Sequence, residues 1–373
     1  MLQSDSGQLT RLAIIGYGLI GQRHAEAIKA APRVELAAIV EPKGSASRAL
    51  VDQSVAIFAD VSQMLREARP DGVIIASPTR LHILHARSCV QAGVPTLIEK
   101  PISDDLKGAQ QLTAEAVEAN VALLVGHHRR FNPIITMARN LIRSGEIGEV
   151  RAINAISWFY KPDYYFDTAP WRKKKGAGPV SVNLIHDIDL MRHFCGEIVA
   201  VQAQFAVAKR GYENEDLGSA ILRFASGAIG TVTVSDSIAS PWSWEFTSGE
   251  NPAYPSTQQS TYFIGGSEGS ISVPDLRVWR HDGDLDWWNP MQAERAQITN
   301  IDPLINQMIH FRRVILGLET PLVSGVEGTK SLEVIDAIQR AAVSQELVQL
   351  CVSPDGTDVS DGSTLTEVVT SSQ

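Results

Sequence analysis

Short apolar runs alternate with helical patterns through the first 125 residues. Segments 12–15, 36–40, 72–76, 96–98 and 121–125 read as buried strands bounded by Gly, Pro or charge. Between them, 21–30, 61–68, 82–92 and 104–118 carry helical periodicity. Strand–helix alternation of this kind predicts βαβ units and a doubly wound parallel sheet, an α/β Rossmann architecture.

After about residue 130 the texture changes. A helix is predicted at 133–144, a strand at 149–158 and a second helix at 181–195. Six strands then follow, at 199–208, 217–224, 228–236, 261–265, 270–273 and 276–280, several separated by turns such as Ser226-Gly227. Consecutive strands on short turns predict a C-terminal α+β domain with a large, mostly antiparallel sheet. Helices at 303–317 and 327–347 close the pattern, and the Ser/Thr/Asp/Gly-rich residues 351–373 read as a loose tail. The expected division is 1–130, 131–326 and a returning helix in 327–350.

Length and composition fit this picture. The 373 residues suggest two domains, with 44 % hydrophobic and 20 % charged residues. A net charge of −9 argues against a general nucleic-acid partner, which needs a basic surface. Cys89, Cys195 and Cys351 are too scattered for a disulfide framework or a CxxC metal site, so a reducing, cytoplasmic setting is expected. The polar start and the absence of an apolar run near ~20 residues predict no signal peptide and no membrane helix.

The strongest local signal is Gly16-Tyr17-Gly18-Leu19-Ile20-Gly21, between a strand and a helix. The glycines permit a tight turn, close backbone approach to a pyrophosphate, and helix–strand packing. Glu41, at the end of the second strand, is placed to bond the adenine ribose and to repel a 2′-phosphate. NAD is therefore expected over NADP, with Lys43 and Arg48 able to soften that preference. Ser77-Pro78-Thr79, with His82 three residues on, follows the third of these strands and forms a second cofactor candidate.

Glu99-Lys100-Pro101 ends the next strand, where a nicotinamide should lie. A lysine there suits bonding a substrate hydroxyl and shifting its proton, although a surface Lys–Glu pair fits the bare tripeptide better. His186 suits the acceptance of an alcohol proton near neutral pH, although a core histidine satisfied by Asp187 or Asp189 fits the residues equally well.

Together, the glycine motif, Glu99-Lys100-Pro101, and Gly176-Ala177-Gly178 followed by His186-Asp187-Ile188-Asp189 resemble the Gfo/Idh/MocA oxidoreductase family. The resemblance covers about residues 10–350, with 126–133 as the interdomain junction. It implies an open sheet that forms a dimer or tetramer, Lys100 as the active-site lysine and His186 as the general base. One position departs from the pattern. Many sugar-oxidising members carry an Asp four residues before this histidine, where Val182 stands here. Asn183, three residues before His186, then orients the substrate.

The remaining candidates surround this set. Trp171-Arg172 resembles a pair near the nicotinamide in family members, and His128 is expected to face it too. Tyr160, Lys161, Tyr164 and Arg172 are assigned to the substrate, since aromatic faces suit the C–H faces of sugar rings. Trp242, Trp244, Trp287 and Trp288 read as core or subunit interface. The basic run 172–175 reads as a solvated loop before a carboxylate lure. A zinc site at His127, His128 and His186 lacks a Cys or Glu at ligand spacing, and no metal is expected.

The expected activity is NAD-dependent oxidation of a secondary alcohol on a cyclic polyol, sugar or sugar acid. A carboxylated cyclic diol dehydrogenase, a redox-neutral NAD-dependent glycosidase and a non-catalytic ligand sensor are the alternatives.

Overall fold

The computed structural model describes residues 7–42, 52, 54–299 and 301–350. Lys43, Arg48, Cys351 and the expected tail lie outside these described residues. The N-terminal sheet has six parallel strands in the order β3-β2-β1-β4-β5-β6. They are β1 (Thr10–Ile15), β2 (Val34–Val40), β3 (Ala56–Phe58), β4 (Gly72–Ile75), β5 (Thr96–Ile98) and β6 (Leu123–Val125). The chain order reverses between β1 and β4, and a crevice opens outside their carboxyl ends. Helices α1 (Leu19–Ala30), α2 (Val61–Glu67), α3 (His82–Gln91) and α4 (Leu106–Glu118) complete the βαβ units. Asp60 and Asp105 cap α2 and α4 by accepting from Gln63 N and Gly108 N at 2.8 Å each.

The C-terminal half opens with α5 (Pro133–Arg143), capped by Asn132. Strand β7 (Val150–Trp158) follows, then the short α6 (Asp163–Asp167), α7 (Pro179–Val182) and α8 (Leu184–Cys195). The helix expected as one piece over 181–195 is therefore broken at Asn183. Next come β8 (Ile198–Phe205), β9 (Leu217–Phe224), β10 (Ile229–Ser235), the short α9 (Trp244–Thr247), β11 (Tyr262–Gly266), β12 (Ser270–Val273), β13 (Arg277–His281) and β14 (Met291–Arg295). With β15 (Val348–Gln349) they build a nine-stranded sheet, antiparallel except where β10 runs parallel to β7.

Both of the last two helices return to the parallel sheet. Helix α10 (Pro303–Ile315) packs on the parallel sheet, where Met308, Phe311 and Val314 join Leu12, Ile14, Ile39 and Ile74 in one core. The boundary expected at 326 thus gives way to a return of the chain near 303. An amphipathic helix does not declare which apolar sheet it will cover. Helix α11 (Gly325–Ser344) lies against α4 and β6 on one side and α8 and β8 on the other, so it spans both halves. Among the described residues, no helix is long and apolar enough to cross a membrane.

Candidate active site

The glycine loop is shaped by close approach. Gly16 has φ +92°, and a Cβ there would lie 2.8 Å from Ala76 O and Ser77 N. A Cβ on Gly21 would lie 2.1 Å from Gly16 O, whereas one on Gly18 meets nothing within 4 Å. Gly18 is also the N-cap of α1, with no side chain capping the helix. The open N–H groups of that first turn suit a pyrophosphate. Tyr17 is buried, and its N–H donates to Glu41 Oε2 at 2.7 Å, so the acid stands beside the loop. Leu19 and Ile20 are exposed at the start of α1. The loop and Glu41 fit a dinucleotide with an unphosphorylated adenine ribose.

The carboxyl ends of β4 and β5 are tied together from beneath. His82 is 1 % exposed, with Nδ1 3.0 Å from Pro101 O and Nε2 2.9 Å from Ser77 O. It therefore lies under the Ser77–Thr79 loop and joins it to the Lys100-Pro101 segment, rather than lining the cofactor crevice as expected. Ser77 Oγ sits 3.0 Å from His85 Nδ1, while Pro78 is exposed and Thr79 half-buried. Glu99 also turns inward: Oε1 is 2.7 Å from His24 Nε2, and Oε2 accepts from the Lys100 N–H at 3.1 Å. Burial works to raise the Glu99 carboxyl, but the His24 hydrogen bond and nearby positive groups hold it well below its ordinary value.

Lys100 reaches from this edge to the break between α7 and α8. Its Nζ donates to Val182 O at 3.3 Å, and the His186 N–H closes a turn onto Asn183 O at 3.0 Å. Burial lowers the Lys100 ammonium to about 8, against the charge of Glu99, which raises it. His186 is pushed well below its ordinary value, first by burial and then by the charges of Lys100 and Arg129. Its imidazole is thus neutral at pH 7, and its Nδ1 has no hydrogen-bond partner among the described residues. The local glycine pattern shapes this corner. A Cβ on Gly178 would strike Glu215 Oε1 at 2.1 Å, the atom that accepts from Val180 N at the start of α7.

The segment after β6 lies against the same corner. The His128 and His127 rings approach His186 edge-on, at 5.4 and 6.1 Å between centroids. His128 Nε2 is 3.0 Å from Glu250 Oε1. His127 is pushed down to about 4, mainly by burial. Although three imidazoles meet, no group of three metal-ligating side chains forms among the described residues.

On the far side, Lys161 Nζ donates to Asn183 Oδ1 at 2.7 Å and pairs with Asp236 Oδ2 at 3.3 Å. It also lies 5.2 Å from the centroid of the Tyr165 ring, on which the Arg172 guanidinium stacks at 3.9 Å. Arg172 Nη1 donates to Tyr165 O at 2.6 Å. Trp171, Tyr160 and Tyr164 are exposed. Lys173 and Lys174 are paired with Asp167 and Glu213, at 2.8 and 2.5 Å, so half of the basic run is neutralised. Trp244 lies in the core, whereas Trp287 and Trp288 are exposed on the β13–β14 connection.

Four groups of this corner were not anticipated as site residues: Arg129, Asp236, Glu245 and Tyr165. Arg129 bonds Asp187 Oδ1 at 3.2 Å and Glu245 Oε1 at 2.9 Å, and Tyr262 donates to the same Asp187 oxygen. Asp236 and Glu245 follow β10, at least 50 residues from Lys100, Lys161 and His186 and beyond any local spacing rule.

Family models match both halves of the chain. "Oxidoreductase family, NAD-binding Rossmann fold" covers residues 10–127, and "GFO/IDH/MocA C-terminal domain" covers 135–272. The chain belongs to the Gfo/Idh/MocA family of NAD-dependent oxidoreductases. Among its Gfo/Idh/MocA relatives is the rhizopine catabolism protein MocA of Rhizobium meliloti, 26 % identical over 60 % of this chain and 70 % of its own. The scyllo-inositol 2-dehydrogenase (NAD(+)) of Bacillus subtilis is 25 % identical over 87 % of this chain and 91 % of its own. The fold is shared with the WlbA dehydrogenase from Bordetella pertussis, solved with NADH and UDP-GlcNAcA. That match has a TM-score of 0.73 at 24 % identity, over 93 % of this chain and 100 % of the other.

Proposed function

We propose that this family member oxidises a secondary alcohol on a cyclic polyol, sugar or sugar acid, with Lys100 and His186 handling the proton. The observation that carries the reading is the convergence of the Lys100 ammonium on Val182 O, one turn from the neutral His186 imidazole. NAD, when bound, supplies the hydride acceptor for the alcohol carbon. His186 takes the hydroxyl proton, and the Lys100 ammonium donates to the oxygen as negative charge grows on it. Gly16, Tyr17, Gly18, Leu19, Ile20, Gly21 and Glu41 hold the cofactor's adenosine side. Ser77, Pro78, Thr79, His128, Trp171 and Arg172 belong to its nicotinamide side. Asn183, Tyr160 and Tyr164 face the substrate, with Lys161 holding the Asn183 amide from behind.

The open face of the nine-stranded sheet exposes Ile229, Phe263, Trp242 and Met291, which supports packing of a second copy there. The free thiols Cys89 and Cys195 support a cytoplasmic setting.

The test is NADH formation from NAD across cyclitols, aldoses, sugar acids and cyclic diol acids. Turnover of one class, reduced at least ~100-fold in Lys100→Ala, is the expected result. Cleavage of glycosides with no net NADH, or binding without turnover, overturns the dehydrogenase reading.

A further inference from the structure

Two lysines grip the α7–α8 break from opposite sides. Lys100 Nζ donates to Val182 O at 3.3 Å, and Lys161 Nζ donates to Asn183 Oδ1 at 2.7 Å. Lys161 is 6 % exposed, and its counter-ion Asp236 is shared with Arg210, whose Nη1 lies 2.5 Å from Asp236 Oδ1. An ammonium carries donors and no acceptor. The side-chain atom that Asn183 turns to Lys161 must therefore be its oxygen. The two N–H groups of Asn183 Nδ2 have no partner among the described residues and are not sealed from solvent.

The other polar groups around this amide sharpen its preference. Lys100 offers only donors. Asp236 is held by Lys161 and Arg210, Glu245 by Arg129, and Asp187 by Arg129 and Tyr262. The free oxygen of Glu245, Oε2, is itself buried. At residue 182 the side chain is an isopropyl group, so no carboxylate stands one residue before Asn183. A neutral hydroxyl both donates and accepts, and the carboxylate oxygens of Glu245, Asp187 and Asp236 that accept no hydrogen bond and could take its proton are all buried. A carboxylate only accepts, and it carries charge into the field of two ammonium groups.

We propose that Asn183, oriented by Lys161, forms a subsite for a carboxylate of the substrate, carried close to the alcohol that is oxidised. This rests on the dehydrogenase reading above and narrows it to sugar acids or carboxylated cyclic diols. Lys161 acts as a positioning residue, since its effect passes through the amide.

The experiment compares matched pairs with the full chain and NAD: glucose against glucuronate, galactose against galacturonate, and cyclohexane-1,2-diol against its 4-carboxylate. The acid of at least one pair should exceed its neutral partner at least ~10-fold in kcat/KM. Lys161→Gln, whose amide can also donate to Asn183, frees that residue to turn its oxygen outward. The acid-to-neutral ratio should fall ~10-fold, chiefly through KM, while Lys161→Arg keeps it. Asn183→Asp should reverse the preference. Thermal melting separates these effects from misfolding. A preference for the neutral partner, or a ratio unmoved by Lys161→Gln and Asn183→Asp in folded protein, overturns the subsite while leaving the dehydrogenase intact. If neither these pairs nor the cyclitols yield NADH, the dehydrogenase reading fails instead. The subsite is then decided by calorimetric titration of the three acids into protein with NADH. Binding lost in Asn183→Asp supports it, and no preference for acid over neutral partner overturns it.

Discussion

Arg130 and Asp189 join the two halves of the molecule through two parallel hydrogen bonds, Nε to Oδ2 and Nη2 to Oδ1, each 2.8 Å. Both side chains are buried, and the pair extends through Glu327 and Ser331 of α11 to Arg192. Burial opposes ionisation of Asp189, but the Arg130 charge and hydrogen bonds hold its carboxyl far below the usual range. The network sits directly behind His127, and so it fixes the angle at which the segment after β6 meets α8.

Breaking this pair on one side leaves a buried charge unmatched. Arg130→Met should cost about 3–5 kcal/mol in urea unfolding. The double variant Arg130→Met/Asp189→Leu should cost less than Arg130→Met alone, because no unpaired charge remains. Equal or greater loss in the double variant would show that the pair itself, and not relief of the orphaned charge, sets the stability.

Lys100 gives the activity an alkaline limit. Its ammonium titrates near 8, and the proposed chemistry needs the protonated form. His186 is depressed well below its ordinary value, so it stays neutral through the same range. The pH profile of kcat/KM for oxidation should be flat from about pH 6.5 to 7.5 and fall above the Lys100 value. Lys100→Arg should lose most activity and also lose that alkaline limb. A profile that rises through pH 8 would instead make Lys100 the base.

Glu41 should set the cofactor choice. Glu41→Gln keeps an oxygen to accept from the Tyr17 N–H but removes the charge. NAD use should survive, while the NADP-to-NAD ratio of kcat/KM rises about 10-fold. An unchanged ratio would move the discrimination elsewhere.

Acid should destabilise the fold through buried histidines. His193 is pushed down to about 3 by burial and by the charges of Arg130 and Arg139, against about 6.5 in the unfolded chain. The unfolded state therefore takes up the proton first as pH falls. The stability is fully present above about 6.5 and is lost progressively toward the folded value. From pH 7.5 to 5 this one group should cost about 2 kcal/mol. His193→Phe should shrink the pH 5 deficit by about that amount, measured by urea unfolding at both pH values.

Sequence alone carried the parallel sheet and the glycine loop, because each is written in a short window, whereas Lys100 and His186 were singled out through the family resemblance. The glycine turn needs six residues, and buried strands announce themselves as apolar runs. What it could not carry is pairing at a distance. Lys161 was readable as polar and near an aromatic cluster, but its partners Asn183 and Asp236 lie 22 and 75 residues away. Likewise, His82 looked like a lining residue because it follows a strand end, and only the fold shows it holding two loop carbonyls from below. The return of α10 to the first sheet has the same cause, since its apolar face would satisfy either sheet.

The glycine loop separates folding from binding within three residues. At Gly21 a methyl group would lie 2.1 Å from the backbone oxygen of Gly16, and neither atom can yield without reshaping the turn. Gly21→Ala should therefore destabilise the protein by about 3 kcal/mol or more. Gly18 is different: its φ of −67° suits any residue, and a methyl group there meets no protein atom within 4 Å. Gly18→Ala should melt within about 0.5 kcal/mol of the parent. The space it fills is the one the pyrophosphate needs, so its affinity for NAD, followed by quenching of tryptophan fluorescence, should fall at least ~10-fold. A Gly18→Ala protein that binds NAD like the parent would mean that the cofactor does not cross the N-terminus of α1 at this residue.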